Sequence, residues 1–176
     1  ALQESDGDIK KAMEVLRKYG IAKAQKKIGR KASDGLIIPY IHSGSKLGVL
    51  LEVNCETDFV ARTGGFQDFC KDVAMHIAAS SPTYVRVEDI PVEVIEREKD
   101  IFRSQLEGSN KPAQIIDKIL DGKINSYYGQ VVLLKQPSIR DPKTTVTDLV
   151  AATIAKVGEN ISIARFARFK VGEVDK

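Results

Sequence analysis

The sequence is poor in the residues that disulfide frameworks, zinc sites and membrane spans require. Its 176 residues include two cysteines, Cys55 and Cys70, and two histidines, His42 and His76. None of them shows the C-x-x-C or H-x-x-x-H spacing of a zinc site. No apolar run is long enough to cross a bilayer. These absences argue against a metal site, a disulfide-stabilised secreted domain and a membrane protein, and they favour a reducing compartment.

The sequence also lacks a phosphate-binding loop and a recognisable catalytic group. Gly44, Ser45 and Lys46 are not preceded by the glycine pattern of a Walker motif, and they fall in a predicted turn. Cys70 lies on an apolar helical face, and nothing near Cys55 predicts an oxyanion hole. We therefore expect no cofactor, no direct nucleotide binding and no enzymatic activity.

Composition indicates a small globular protein with a real core, since 43% of its residues are hydrophobic. The net charge of +3 is too small to indicate nucleic-acid binding by itself. One segment is strongly basic, however, and an RNA-binding module of the translation apparatus is the alternative function that it suggests. We favour a solvated helix and linker, because no aromatic residues interleave to stack on bases. The cations of this basic segment are Lys23, Lys26, Lys27, Arg30 and Lys31.

Three segments have the pattern of β-strands. Residues 36–41 and 47–53 are joined by a Gly/Ser-containing turn, which predicts a hairpin. Residues 161–169 alternate between apolar and polar positions, as a half-buried strand does. Because the remaining segments are helical and segregated from these strands, we predict an α+β fold with a small antiparallel sheet packed on helices.

The helical segments have identifiable starts and ends. Asp8 is the predicted N-cap of a first helix, whose apolar stripe includes Ile9, Ala12, Met13 and Leu16 and which we expect to end at Gly20. A second helix carries an unbroken apolar stripe from Phe66 to Ala78 and stops at Ser81-Pro82. On its outer face, Asp72 and His76 are spaced to form a pair. A later helix spans Val146–Val157 and closes at Gly158.

Residues 91–130 have the pattern of two amphipathic helices joined by a short turn. Pro91 and Pro112 each stand at a helix start, and Gly108, Ser109 and Asn110 form the turn between them. This pattern predicts a protruding antiparallel helical hairpin. Residues 131–134, which follow it, are ambiguous between a strand and a helix end.

The most informative segment is the acidic and aromatic stretch that follows the strand at 47–53. Phe59 stands beside the carboxylates of Glu56 and Asp58, a combination that suits insertion into another protein. The alternative is that Phe59 folds back into the core and Asp58 caps the following short helix. Composition alone does not decide between these two structures.

Several segments in order resemble the elongation factor Ts family, the guanine-nucleotide exchange factors of the GTPase elongation factor Tu. The resemblance spans nearly the whole chain. The segments are DGDIKKA at 6–12, YIH at 40–42, NCETDFVAR at 54–62, AMHIAA at 74–79, GENI at 158–161 and RF at 168–169.

The resemblance implies a mechanism and a set of site residues. Asp58 and Phe59 would enter between helices of the GTPase domain of elongation factor Tu, disturb the water network around its Mg²⁺ and so release GDP. Thr57 and Val60 flank them in the matching motif. Secondary contacts with the partner are implied for four residues: His42, Gly158, Glu159 and Asn160.

The resemblance also implies a domain organisation. Residues 1–33 would be an N-terminal helical segment, the remnant of a three-helix domain, followed by a linker, and residues 34–176 would be the core domain. Ala1 in place of Met suggests a fragment or a processed form. Because there is room for one core copy only, we expect a homodimer. Bacterial cytoplasm is the expected compartment, with the mitochondrial matrix and the chloroplast stroma as alternatives.

Overall fold

A computed structural model of the chain describes residues 3–6, 8–106 and 112–173. Two short 3-10 turns, Val87–Asp89 and Leu133–Lys135, accompany six α-helices and three strands in this part of the chain. The α+β class predicted from the sequence is confirmed. In chain order the elements are α1 Ile9–Gln25, β1 Asp34–Ile41, β2 Leu47–Cys55, α2 Asp58–Ala61, α3 Gly64–Ser80, α4 Val92–Ser104, α5 Ala113–Val131, α6 Val146–Val157 and β3 Ile161–Lys170.

The three strands form one antiparallel sheet in the order β1-β2-β3. The register places Pro39 opposite Leu50 and Leu50 opposite Ala167, with an irregularity between Glu52 and Val53. Successive residues of a strand point to opposite faces, so this register defines two faces. The face away from the helices, here called the outer face, comprises Ile37, Pro39, Ile41, Gly48, Leu50, Glu52, Arg165, Ala167 and Phe169.

The core lies between the other face of the sheet and helix α3. Val49, Leu51 and Val53 of β2 are buried together with Phe66 and Ile77 of α3. Helix α3 begins after Thr63, whose hydroxyl accepts the amide hydrogen of Phe66 and acts as the N-cap. It ends at Ser80, as the Ser81-Pro82 pair predicts, with Ser81 in the left-handed conformation of a C-cap.

Helix α1 packs along α6. The amide hydrogen of Lys11 is donated to Oδ1 of Asp8, which confirms the predicted N-cap. The predicted end at Gly20 is wrong, because a Cβ added to Gly20 would lie 3.6 Å from that of Ala155 and the helix continues to Gln25. Gly20 therefore faces α6, and packing continues beyond it at the buried Ala24, so the helix does not end there. The division of the chain into two domains at residue 33 stays a prediction.

The predicted apolar stripe of α1 is buried only in part. Ala12 is buried, whereas Ile9, Met13 and Leu16 are exposed. The side chains of α1 that are fully buried, Ala12 and Ala24, are therefore small, and Val15 and Ile21 are half-buried.

Helices α4 and α5 contact each other, and the protruding antiparallel hairpin stays a prediction. Nζ of Lys123 donates to Oε1 of Gln105 at 2.8 Å and lies 5.1 Å from the ring centroid of Phe102. Where this pair of helices meets the core, Leu133 N donates to the carbonyl of Tyr84 and Leu134 N to that of Val85. The ambiguous segment at 131–134 is thus a helix end followed by a 3-10 turn. The predicted turn at Gly108, Ser109 and Asn110 lies outside the described residues.

The predicted pair between Asp72 and His76 is wrong. His76 is only 3% exposed, and its Nε2 lies 2.9 Å from Oε1 of Gln136. Asp72 instead forms an ion pair with Arg140 at 2.6 Å. His76 points inward because α3 is covered on that side by the segment that follows α5, which its own helical pattern does not reveal.

Candidate functional site

The acidic and aromatic segment forms a short exposed helix at the end of β2. The four residues of α2, Asp58–Ala61, follow Thr57, whose hydroxyl accepts the amide hydrogen of Val60 at 3.4 Å. Thr57 is therefore the N-cap, not Asp58. Val60 and Ala61 are buried in the core cluster and hold the inner side of this helix against the protein.

Phe59 points away from the core. Its side chain is 76% exposed, while the next residue, Val60, is 5% exposed. The alternative in which the ring folds into the core is therefore not the structure that this segment adopts. A large exposed ring on a well-anchored short helix is available to another molecule at little cost in ordering.

Asp58 stands beside the ring with its carboxylate in an ion pair. Oδ2 of Asp58 lies 2.8 Å from Nη2 of Arg62, and both side chains are largely exposed. Exposed pairs of this kind contribute about 0–1 kcal/mol, so a partner separates them at little cost. Arg62 was not identified from the sequence, although its spacing of four residues from Asp58 is the spacing of a helical ion pair.

Glu159, which is 102 residues after Thr57 in the chain, accepts hydrogen bonds from the residues just before α2. Its Oε2 accepts the amide hydrogens of Glu56 at 3.1 Å and Thr57 at 3.0 Å. Its Oε1 accepts the hydroxyl hydrogen of Thr57 at 2.7 Å. Both carboxylate oxygens of Glu159 are thus occupied within the chain.

Glu56 and Asn160, the neighbours of Thr57 and Glu159, form further contacts between the same two segments. The carboxylate of Glu56 accepts the amide hydrogen of Asn160 at 2.6 Å, and it lies 3.7 Å from the guanidinium of Arg30. The side-chain amide of Asn160 donates to the carbonyl oxygen of Arg30 at 2.7 Å. Gly158, with a φ of +80°, ends α6 and turns the chain toward these contacts. Three separate segments therefore meet at the base of α2.

Cys55 is the last residue of β2 and is buried. Its Sγ donates to the carbonyl oxygen of Thr57 at 3.1 Å. Burial raises the pKa of the Cys55 thiol, and the nearby charge of Glu159 raises it further. Burial also raises the pKa of Cys70 to about 12. Both thiols are therefore packing groups and poor nucleophiles.

His42 lies at the other end of the β1–β2 hairpin. It follows β1, whereas α2 follows β2, and β2, which is nine residues long, runs antiparallel to β1. At about 3.3 Å per residue the two ends are roughly 26 Å apart. Within a single chain, His42 and the tip therefore lie at opposite ends of the hairpin, and a partner contact through His42 stays a prediction. Its Nδ1 lies 3.0 Å from the hydroxyl oxygen of Tyr40.

Six of the eight predicted site residues lie at or next to α2, Gly158 leads into them, and His42 lies apart. Thr57, Asp58 and Phe59 form an exposed tip, and Glu159 and Asn160 support its base. Val60 anchors the tip in the core, and a partner contact through Val60 stays a prediction. Within residues 3–6, 8–106 and 112–173, no cluster of three metal-binding side chains occurs, and no helix is long and apolar enough to span a membrane.

Comparison with known proteins identifies the family. The family described as Elongation factor TS matches residues 20–173. The chain is 55% identical to the elongation factor Ts of Geotalea daltonii over 173 residues, which cover 98% of this chain and 80% of that protein. It is 53% identical to the elongation factor Ts of Fervidobacterium nodosum, covering 98% of this chain and 88% of that one. With a match over almost its full length, the chain belongs to the elongation factor Ts family.

Proposed function

We propose that this protein binds elongation factor Tu in its GDP form and promotes the release of GDP by inserting the tip that carries Asp58 and Phe59. The observation that carries the proposal is the exposed ring of Phe59 on a helix anchored by Val60. Family membership supports elongation factor Tu as the partner. The bacterial relatives favour the bacterial cytoplasm as the site of action.

Release of GDP follows from preferential binding to one state of the partner. Consider a factor that binds the nucleotide-free GTPase more tightly than the GDP form. It lowers the affinity of the GTPase for GDP by the same ratio by which GDP lowers the affinity for the factor. Insertion of the Phe59 ring separates helices of the GTPase domain, and the Asp58 carboxylate competes for hydrogen bonds in the water network around the partner's Mg²⁺. GTP then binds and displaces the factor.

We also propose that the functional form is a homodimer. The exposed tip and His42 lie at opposite ends of one hairpin, and in a dimer the tip of one chain and His42 of the other can face the same partner molecule. The outer face of the sheet supports this assembly, because Ile37, Ile41, Leu50 and Phe169 are all exposed there. A contiguous apolar patch of this kind marks an interaction surface.

The oligomeric state tests the homodimer directly. Light scattering should give twice the 19.4 kDa mass of one chain. Leu50→Asp, at the centre of the outer face, should reduce the mass to that of one chain, whereas Asp72→Asn, away from this face, should not. A mass of one chain for the parent protein at working concentration would exclude the homodimer.

The release of a fluorescent GDP analogue from purified elongation factor Tu tests the exchange function. The protein should accelerate release, and the acceleration should be smaller when Mg²⁺ is removed, because part of the obstacle to release is then already absent. Salt-dependent RNA binding without any effect on GDP would instead support the RNA-binding alternative. Two of the basic residues behind that alternative have internal contacts, since Lys23 donates to the carbonyl of Ala155 and Arg30 lies near Glu56.

A further inference from the structure

We infer that Glu159 is a positioning residue for the tip and acts on the partner through its hydrogen bonds to Glu56 and Thr57. The inference rests on the proposed exchange function and deepens it. A surface glutamate beside an interface is ordinarily expected to contact the partner. Here the three hydrogen bonds from Glu56 and Thr57 occupy both oxygens of its carboxylate.

Glu159 accepts the amide hydrogens of the N-cap Thr57 and of Glu56, which precedes it, and so bonds the segment that leads into α2. The first amide groups of a helix have no acceptor within the helix, and α2 has only four residues. The Thr57 hydroxyl both accepts from the amide of Val60 and donates to Glu159, so the orientation of the N-cap depends on the glutamate. A charged acceptor strengthens each of these bonds compared with a neutral one.

The hydrogen bonds between the segment before α2 and the segment after α6 run in both directions. They therefore fix the direction of α2 as well as its position. Glu159 accepts from the segment before α2, and Glu56 in that segment accepts from the amide of Asn160. Two crossed contacts between the same two segments prevent one from rotating about the other. Loss of Glu159 therefore leaves the helix anchored through Val60 but free to change the direction of the Phe59 ring.

Amide hydrogen exchange of the parent protein tests the geometry without any substitution. Thr57 is an exposed residue whose amide hydrogen is donated to Glu159. We expect its exchange to be slow and to accelerate at least tenfold in Glu159→Gln, while amides in the middle of α3 are unchanged. Rapid exchange at Thr57 in the parent protein would overturn the inference.

Stimulated GDP release tests the function of Glu159. Glu159→Gln should lower the maximal stimulated rate about tenfold, because a small displacement of an inserted group has a large effect. Asp72→Asn is the matched control, since Asp72 is also a partly buried carboxylate in an internal pair. It should leave the rate within about twofold of the parent, as expected for a substitution distant from the tip.

A double-mutant cycle with Phe59→Ala separates positioning from direct contact. If Glu159 acts through the tip, Glu159→Gln should change the rate less than twofold once Phe59 is already alanine. If the fold-reductions in rate caused by the two substitutions multiply, Glu159 contacts the partner independently and the inference is wrong. An effect of Phe59→Ala without one of Glu159→Gln would overturn the positioning role alone. A parent protein that does not stimulate release would overturn the proposed function and this role with it.

Discussion

Truncation of Phe59 to alanine should separate the function of the tip from the stability of the fold. The side chain is 76% exposed, so roughly three quarters of its surface is free for a partner. Full burial of a phenylalanine side chain is worth about 2–3 kcal/mol. The available share is then about 1.5–2.3 kcal/mol, or about 10–50-fold in the stimulated release of GDP. The share already buried is about 0.5–0.7 kcal/mol, so the fold should be almost unaffected.

Val60→Ala is the matched control, because Val60 is adjacent to Phe59 but 5% exposed. Removal of its two methyl groups should reduce the free energy of unfolding by about 1.5–3 kcal/mol. Urea unfolding and release of a fluorescent GDP analogue at sub-saturating factor should be measured for both variants. A Phe59→Ala protein that unfolds like the parent and releases GDP at the parent's rate would refute the insertion mechanism.

Further predictions concern two glycines, a buried histidine and a buried cysteine. Gly35→Ala should destabilise the protein by more than about 2 kcal/mol in urea unfolding, because the added Cβ would lie 2.2 Å from the carbonyl oxygen of Val53. Gly129→Ala, in open space on α5, should instead stabilise it by up to about 1 kcal/mol, and the reverse order would contradict the structure. Burial lowers the pKa of His76 in the folded protein. As the pH drops below about 6.5, the unfolded chain is therefore protonated first, and the free energy of unfolding should fall. In urea unfolding, the free energy of unfolding of His76→Gln should fall less over the same pH range. Because burial raises the pKa of Cys70 to about 12, a thiol reagent should label it at the rate of unfolding, and rapid labelling of the native protein would argue against its burial.

The sheet was accessible to sequence reasoning because each strand carries its own pattern. The predicted strands at 36–41, 47–53 and 161–169 correspond to Asp34–Ile41, Leu47–Cys55 and Ile161–Lys170. Differences of one or two residues at the ends are expected, since the assigned ends of helices and strands commonly differ by that much. Local alternation of apolar residues is sufficient for such elements.

Contacts between distant segments were not accessible in the same way. His76 looked like a surface residue because its acceptor, Gln136, is 60 residues away. Gly20 looked like a helix end because its close neighbour, Ala155, lies on another helix. In both cases a local rule was overridden by packing that the local pattern does not encode.

The candidate site was predictable in part for the same reason. The tip was found because Asp58 and Phe59 are adjacent and follow a buried strand. Its support was not found, since Glu159 and Thr57 are 102 residues apart. The family resemblance placed Glu159 near the interface but did not give its internal hydrogen bonds.

The attachment of helices α4 and α5 has a consequence for how proteins of this design can vary. The chain leaves the core at Tyr84 and Val85 and returns beside them at Leu133 and Leu134, where backbone hydrogen bonds join the two ends. Among the described residues, the core cluster includes none between Val85 and Leu133. We therefore expect that whole helical turns added to or deleted from both helices together, or a foreign domain grafted in their place, would leave the sheet that carries the Phe59 ring unchanged.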